Sequence, residues 1–275
     1  MILHLAGTSD ARELAILIRD AGYELTASVV TDNAAHSLQE AGVPVRVGRL
    51  TADEMATYIR EHNIRAVVDA AHPFAEEAHR NAMAATETCG IPYLRFEREA
   101  LTFADHPRLH YVDDYAQAAE KAAELGGNIL LTTGSKTLQI FSTRLLGVPG
   151  VTLYARMLPR VDNMEKCAAL GIEQKHIIAM QGPFSAELNL ALYRNFAIDV
   201  MVTKESGKVG AVDDKVQAAL EHGLHVILIG RPGLAYGDVF TEYQPLLEKL
   251  HHLQGELRHG HQHELQTADR ATARD

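Results

Sequence analysis

Short apolar runs alternate along the chain with longer stretches whose apolar positions recur at helical spacing. Ile2–Ala6 reads as a strand, and the segment from about Asp10 to Ala21 reads as a helix that stops at Gly22. Thr26–Val30, Val43–Val47, Ala66–Ala70 and Pro92–Phe96 continue the strand series, with helices at Ala34–Ala41, Ala52–Glu61 and Glu76–Cys89 between them. Thr51 suits the cap position of the third helix. Strands separated by single helices predict right-handed βαβ units and a parallel sheet.

From Glu97 to Pro107 the period lapses, and this stretch reads as a linker. Beyond it come strands near Leu109–Val112, Ile129–Thr132, Val151–Ala155, Ile177–Met180, Val200–Thr203 and Val226–Ile229. Helical patterns fill the gaps, among them Tyr115–Leu125, Met164–Leu170, Ala186–Asn195 and Asp214–His222, and a last one runs from about Thr241 to Leu253. The predicted fold class is therefore α/β, with two Rossmann-like parallel-sheet domains and an interdomain cleft. Residues 1–98 form the N-terminal domain, 108–253 a C-terminal α/β domain and 254–275 a mobile polar tail. The halves share an architecture but no detectable sequence repeat.

Composition narrows the function classes. The net charge of −10 gives no reason to expect nucleic acid as a partner, since phosphate binding needs a basic surface. No run approaches the roughly 18 apolar residues that span a membrane, and the N-terminus lacks the pattern of a signal peptide. Two isolated cysteines, Cys89 and Cys167, argue against a disulfide framework and fit a cytoplasmic protein. The tail carries His259, His261 and His263 close to His251 and His252. No cysteine or carboxylate stands at ligand spacing around them, so a solvated tail is expected rather than a metal site.

In open parallel sheets, ligands bind at the carboxyl ends of strands, where loops enter helix N-termini. The first such edge is Gly7-Thr8-Ser9-Asp10-Ala11-Arg12. Gly7 permits a tight turn, and the amides and dipole of the following helix favour an anion. A helix simply capped by Ser9 or Asp10 is the plainer reading, and the two are compatible. After the fourth strand, Pro73 holds His72 extended at the edge. Its ring either bonds a local backbone group or reaches the cleft. In the second half, Thr132-Thr133-Gly134-Ser135-Lys136 repeats the first edge with a lysine added. Arg156 and Arg160, Gln181-Gly182-Pro183-Phe184, Thr203-Lys204-Glu205-Ser206-Gly207 and Gly230-Arg231 follow at later edges. Positive charge gathered there, in a protein of net −10, suits a polyanionic small molecule. Covalent and hydrolytic chemistry find no support, since no nucleophile elbow, Walker loop or Cys/His pair occurs.

Taken together, Gly-Thr-Ser-Asp-Ala-Arg at 7–12, Asp-Ala-Ala-His-Pro-Phe-Ala at 69–75, Thr-Thr-Gly-Ser-Lys at 132–136, Gln-Gly-Pro-Phe at 181–184 and Thr-Lys-Glu-Ser-Gly at 203–207 resemble the precorrin-6A reductases. The resemblance implies a reductase of cobalamin biosynthesis. Such an enzyme transfers a hydride from NADH or NADPH to the precorrin-6A or cobalt-precorrin-6A macrocycle, a tetrapyrrole rich in carboxylates, to give the 6B product. On this reading Gly7, Thr8, Ser9, Arg12, Thr31 and Asp32 bind the nucleotide. Gly134, Ser135, Lys136, Arg156, Arg160, Gln181, Phe184, Lys204 and Ser206 bind the substrate, and His72 is the candidate proton donor. Asp32 is placed to hold ribose hydroxyls, and no arginine follows the second strand to grip a 2′-phosphate, though one could come from elsewhere in the fold, so the reading leans slightly towards NADH. The competing readings are a dinucleotide-dependent reductase of another substrate and a nucleotide- or tetrapyrrole-binding protein without turnover. Fold alone does not separate them.

Overall fold

The first strand, β1 (Ile2–Leu5), is buried along its whole length, as a strand covered on both faces must be. Beside it lie β2 (Leu25–Val29), β3 (Val45–Val47), β4 (Ala66–Asp69) and β5 (Tyr93–Phe96). A sixth strand, β12 (Val239–Phe240), pairs with β5 through Val239 opposite Arg95 and Phe240 opposite Phe96. All pairs are parallel, and the order is β12-β5-β4-β1-β2-β3. Read from the other end, this is the 3-2-1-4-5-6 order of doubly wound folds, whose crevice opens between strands 1 and 4.

Side-chain alternation explains the layers. Ile2, Leu25, Ala27, Val29, Val68 and Leu94 face α1 (Ser9–Asp20) and α2 (Asp32–Glu40), while Leu3, Leu5 and Val67 face α3 (Ala52–Glu61) and α4 (Glu76–Cys89). Local chemistry sets the helix starts: Thr8 Oγ1 accepts from Ala11 N, Thr31 Oγ1 from Ala34 N, and Thr51 with Glu54 closes a capping box.

The second sheet contains β6 (Leu109–Val112), β7 (Gly127–Leu131), β8 (Val151–Met157), β9 (Ile177–Ala179), β10 (Val200–Lys204) and β11 (His225–Ile229). Its order is β6-β11-β10-β7-β8-β9, again all parallel. Counting β7 as its first strand, this is the same 3-2-1-4-5 order, with β6 in sixth place. The switch point falls between β7 and β10. The helices are α5 (Tyr115–Leu125), α6 (Leu138–Leu145), α7 (Val161–Ala169), α8 (Ala186–Asn195) and α9 (Ala211–Glu221).

The computed structural model describes residues 1–205 and 211–255, with backbone alone at 211–214. Its two compact units are Met1–Arg98 together with the chain from Leu234 onward, and Glu99–Gly233. This corrects the expected boundary at the C-terminal end. The last helix, α10 at residues 243–255, buries Leu246 and Leu250 in the core of the first sheet beside Ile18 and Leu25. Together with β12 it completes the first unit, while β6 completes the second. The expected tail at 254–275, with its histidines, lies almost wholly outside the described residues.

One buried group in β1 makes acid stability testable. His4 is fully buried, and its Nε2–H donates to the Ala11 carbonyl at 2.7 Å, tying the strand to the first turn of α1. Burial pushes its pKa down to about 4, against the smaller upward pulls of that bond and of Asp69. The unfolded chain therefore takes up a proton below pH 6.5 that the folded chain refuses. Stability is expected to fall by about 3 kcal/mol between pH 6.5 and 4 from this group alone. Urea unfolding of His4→Gln should show a correspondingly smaller difference between pH 7 and pH 4.5. An equal difference in both proteins would refute the assignment.

Candidate active site

At the first switch point, β1 and β4 end side by side, with Leu5 opposite Asp69 in register. The loop after β1 opens with Gly7 at φ +134, a backbone that side chains rarely adopt, and a Cβ built there meets no atom within 4 Å. The space above Gly7 is thus open, in front of the α1 N-terminus, where unpaired amides and the helix dipole favour an anion. Gly7 and Ser9 are exposed there, whereas Thr8 spends its oxygen on the cap. Arg12 lies one turn further on, and its Nε–H donates to the Ser37 carbonyl at 3.0 Å, linking α1 to α2. Thr31 caps α2 and Asp32 stands exposed in its first turn, at the carboxyl end of β2. The structure adds a residue that sequence reasoning missed. Arg46 in β3 crosses to Ser28 Oγ at 2.8 Å and donates to the Gly48 carbonyl at 2.9 Å, so a guanidinium does stand beside the end of β2.

The loop after β4 carries His72, half-buried. Its Nδ1 accepts the Phe74 N–H at 3.2 Å, so the local backbone bond is made and the ring hydrogen sits on Nε2. Sequence reasoning also missed what lies beneath this loop, a buried network of Asp69, His79 and Arg95 joined by the half-buried Tyr93.

At the second switch point, the loop after β7 contains Thr133, Gly134, Ser135, Lys136 and Thr137. Gly134 has φ +79, and a Cβ there would also meet nothing within 4 Å. The hydroxyls of Thr133, Thr137 and Thr203 are buried without a hydrogen-bond partner among the described residues. Orphaned buried hydroxyls are uncommon, and three beside one open strand edge fit a polar ligand. The basic groups behave differently from one another. Arg156 projects from β8 into the interior, donates to Asn189 Oδ1 at 2.8 Å, and stacks 4.0 Å above the Phe184 ring. Burial pushes its pKa down. Arg160 is exposed and forks onto Asp162 at 2.9 and 3.2 Å. Lys204, half-buried at the end of β10, is pushed down by burial and then by the charge of Lys136, which is itself exposed. Lys215 on α9, absent from the sequence-based set, is pushed down to about 7 by burial and by the charges of Arg156 and Lys204. Gln181 is exposed near Phe184, and Ser206 lies outside the described residues. Arg231, at the end of β11, is matched by the buried carboxylate of Glu205, which also accepts Leu101 N–H at 3.1 Å.

Two parallel sheets in doubly wound order, each with an open glycine loop at its switch point, define a protein of the doubly wound, Rossmann-like α/β class. The precorrin-6x reductase CbiJ/CobK family model matches residues 1–251, and the chain belongs to that family. It is 56% identical over 250 residues to a cobalt-precorrin-6A reductase from Priestia megaterium, covering 91% of this chain and 98% of that protein. It is 38% identical over 245 residues to the cobalt-precorrin-6A reductase of Salmonella typhimurium, covering 88% and 92% of the two chains. The solved structure of CobK precorrin-6A reductase superposes with a TM-score of 0.75 at 27% identity, over 92% of this chain and 96% of that one.

Proposed function

We propose that this protein reduces the precorrin-6A macrocycle, as its cobalt complex or metal-free, with a hydride from a reduced nicotinamide nucleotide, giving the 6B product of cobalamin biosynthesis. The observation that carries the reading is the pairing of one anion-cradling glycine loop with one cationic, hydroxyl-lined edge, each at a switch point. The nucleotide supplies the two electrons when bound. Gly7, Thr8, Ser9 and Arg12 hold its phosphates at the start of α1, and Thr31 and Asp32 its ribose. The Asp32 carboxylate repels a 2′-phosphate and favours NADH, while Arg46 is the group through which NADPH would be tolerated. In the second unit Gly134, Ser135 and Lys136, with Lys204, Ser206 and the added Lys215, hold the substrate's carboxylates. Arg156 serves in preference to Arg160, whose charge Asp162 already meets. Phe184 stacks on the Arg156 guanidinium, and Gln181 belongs to the same loop after β9. The cytoplasm is the proposed compartment, which the two free thiols support; no described helix is long and apolar enough to cross a membrane.

Protein mixed anaerobically with substrate and NADH or NADPH should lose nicotinamide absorbance in equal amount to ring reduction. No loss with either nucleotide, on metal-free and cobalt substrates alike, contradicts the proposal.

The proton that completes the reduction has two candidate sources. His72 stands at the β4 edge, but it must first protonate Nδ1 and release Phe74 N–H to act as an acid near neutrality. Lys215 is favoured as a second reading because its pKa of about 7 already lies in the working range. Substrate affinity should also fall as pH rises through about 7, since Lys215 then loses the charge that meets a carboxylate. Single-turnover rates from pH 5 to 9 separate the two. Loss of the rate-controlling ionisation in His72→Gln, with nucleotide affinity kept, assigns the proton to His72. Its loss in Lys215→Gln assigns it to the lysine, and its survival in both variants excludes both groups.

A further inference from the structure

The turn from β4 to α4 is held from beneath by charged side chains, where a plain connection would leave its backbone groups to water. Asp69 is fully buried, and its Oδ1 accepts the Ala71 N–H at 3.0 Å. Its Oδ2 accepts the Tyr93 hydroxyl at 2.7 Å and stands 2.7 Å from His79 Nδ1. His79, also fully buried, presents Nε2 to the His72 carbonyl at 3.0 Å. Both ring nitrogens thus face oxygen atoms, those of a carboxylate and a carbonyl, which fixes the plane of the ring. Arg95, again fully buried, donates through Nη1 to the carbonyls of Asp69 and Ala71, each at 2.9 Å, and through Nε to Glu97 at 3.1 Å. Tyr236 covers the group, its ring edge-on to His79 at 5.5 Å and 5.2 Å from the Arg95 guanidinium.

Asp69, His79 and Arg95 between them bond the Ala71 N–H and the carbonyls of Asp69, Ala71 and His72. Burial pushes the Asp69 carboxyl up, yet the bonds and charges of His79, Arg95 and Tyr93 outweigh it and hold the group ionised. Buried ion pairs are poor sources of stability, because desolvation offsets most of their attraction. Their distinctive property is directional: they impose one geometry on the groups they bond.

We propose that Asp69, His79 and Arg95, assisted by Tyr93, are positioning residues that fix the His72–Phe74 segment against the ligand bound at the first switch point. This rests on the reading of that edge as the nucleotide site. The segment lies after strand 4, across the switch point from Gly7, so it meets the nicotinamide half of a dinucleotide rather than the adenosine half.

The test uses the full chain and measures single-turnover reduction together with binding of NADH, NADPH and ADP. Asp69→Asn and His79→Gln are expected to slow reduction by at least about tenfold through misplacement of the segment. They should weaken the whole dinucleotide while leaving ADP affinity within about twofold. A low-field imidazole N–H signal from His79 should be present in the wild type and lost in Asp69→Asn. A general loss of structure would weaken ADP as well, and that result overturns the positioning role. Wild-type reduction rates in both folded variants also overturn it. Should either variant fail to fold, Tyr93→Phe removes a single bond and keeps the ring. A reduced rate at unchanged ADP affinity then supports the proposal, and a wild-type rate sinks it. The underlying site is judged separately by Gly7→Val, whose failure to affect ADP would move the nucleotide elsewhere without bearing on these rates.

Discussion

Gly7→Val is expected to weaken nucleotide binding by at least about a hundredfold, roughly 2.7 kcal/mol. Two effects add. The branched side chain fills the open space in front of α1, where a phosphate must approach the backbone amides, and each charge-assisted bond lost is worth about 1.5–3 kcal/mol. The residue must also hold φ +134, which costs about 1–3 kcal/mol or drives the loop into another shape. A Cβ at this position touches no protein atom within 4 Å, so the fold itself should survive with a modest loss of stability. Titration of the folded variant with NADH and NADPH checks this. Unchanged affinity would place the nucleotide elsewhere, and the glycine loop at Gly134 would be the next position to substitute.

Lys204→Ala is expected to weaken substrate binding by about ten- to a hundredfold, the equivalent of one charge-assisted bond. Lys204 is half-buried at the end of β10, where burial and Lys136 already disfavour its charge. An anionic substrate relieves that cost, so the lysine contributes more to the complex than an exposed one would. Arg156→Gln should show a loss of the same order, whereas Arg160→Gln should show little, since its guanidinium is exposed and paired with Asp162. Affinity should fall as salt rises, because several carboxylate contacts are screened together. Salt-independent binding, with no loss in Lys204→Ala, would contradict the assignment of the second unit to the substrate.

Most of the fold was legible because its signal is local. The longer described strands are runs of apolar residues broken by helical periods, and α3 starts at the expected cap, Thr51, whereas α1 is capped by Thr8, one residue before the expected Ser9. What escaped is what depends on distant pairing. β12 is two residues long and acquires its identity only from β5, some 140 positions earlier in the chain. The return of the last helix to the first sheet is carried by Leu246 and Leu250, whose spacing shows that a face is buried but not against which core.

The candidate site follows the same division. Gly7, Gly134, Lys136 and Lys204 could be proposed from the sequence because strand ends are predictable and glycines and lysines there have a plain chemical reading. Lys215 escaped because it sits inside a helix, and only the approach of Arg156 and Lys204 makes it unusual. Arg46 escaped because it lies on a neighbouring strand and reaches the end of β2 across the sheet. Asp69, His79, Tyr93 and Arg95 were each visible as residues, but their assembly is a product of β4, α4 and β5 packing together.

The central claim is hydride transfer to the macrocycle, and isotope transfer tests it most directly. Reduction of cobalt-precorrin-6A and of metal-free precorrin-6A should be run with NADH and NADPH deuterated stereospecifically at the nicotinamide C4, and the products weighed by mass spectrometry. The account predicts a product two hydrogens heavier than the substrate, carrying one deuterium from one of the two C4 faces, with the second hydrogen drawn from water. A product without deuterium from either face, or no product while both nucleotides bind, would contradict it.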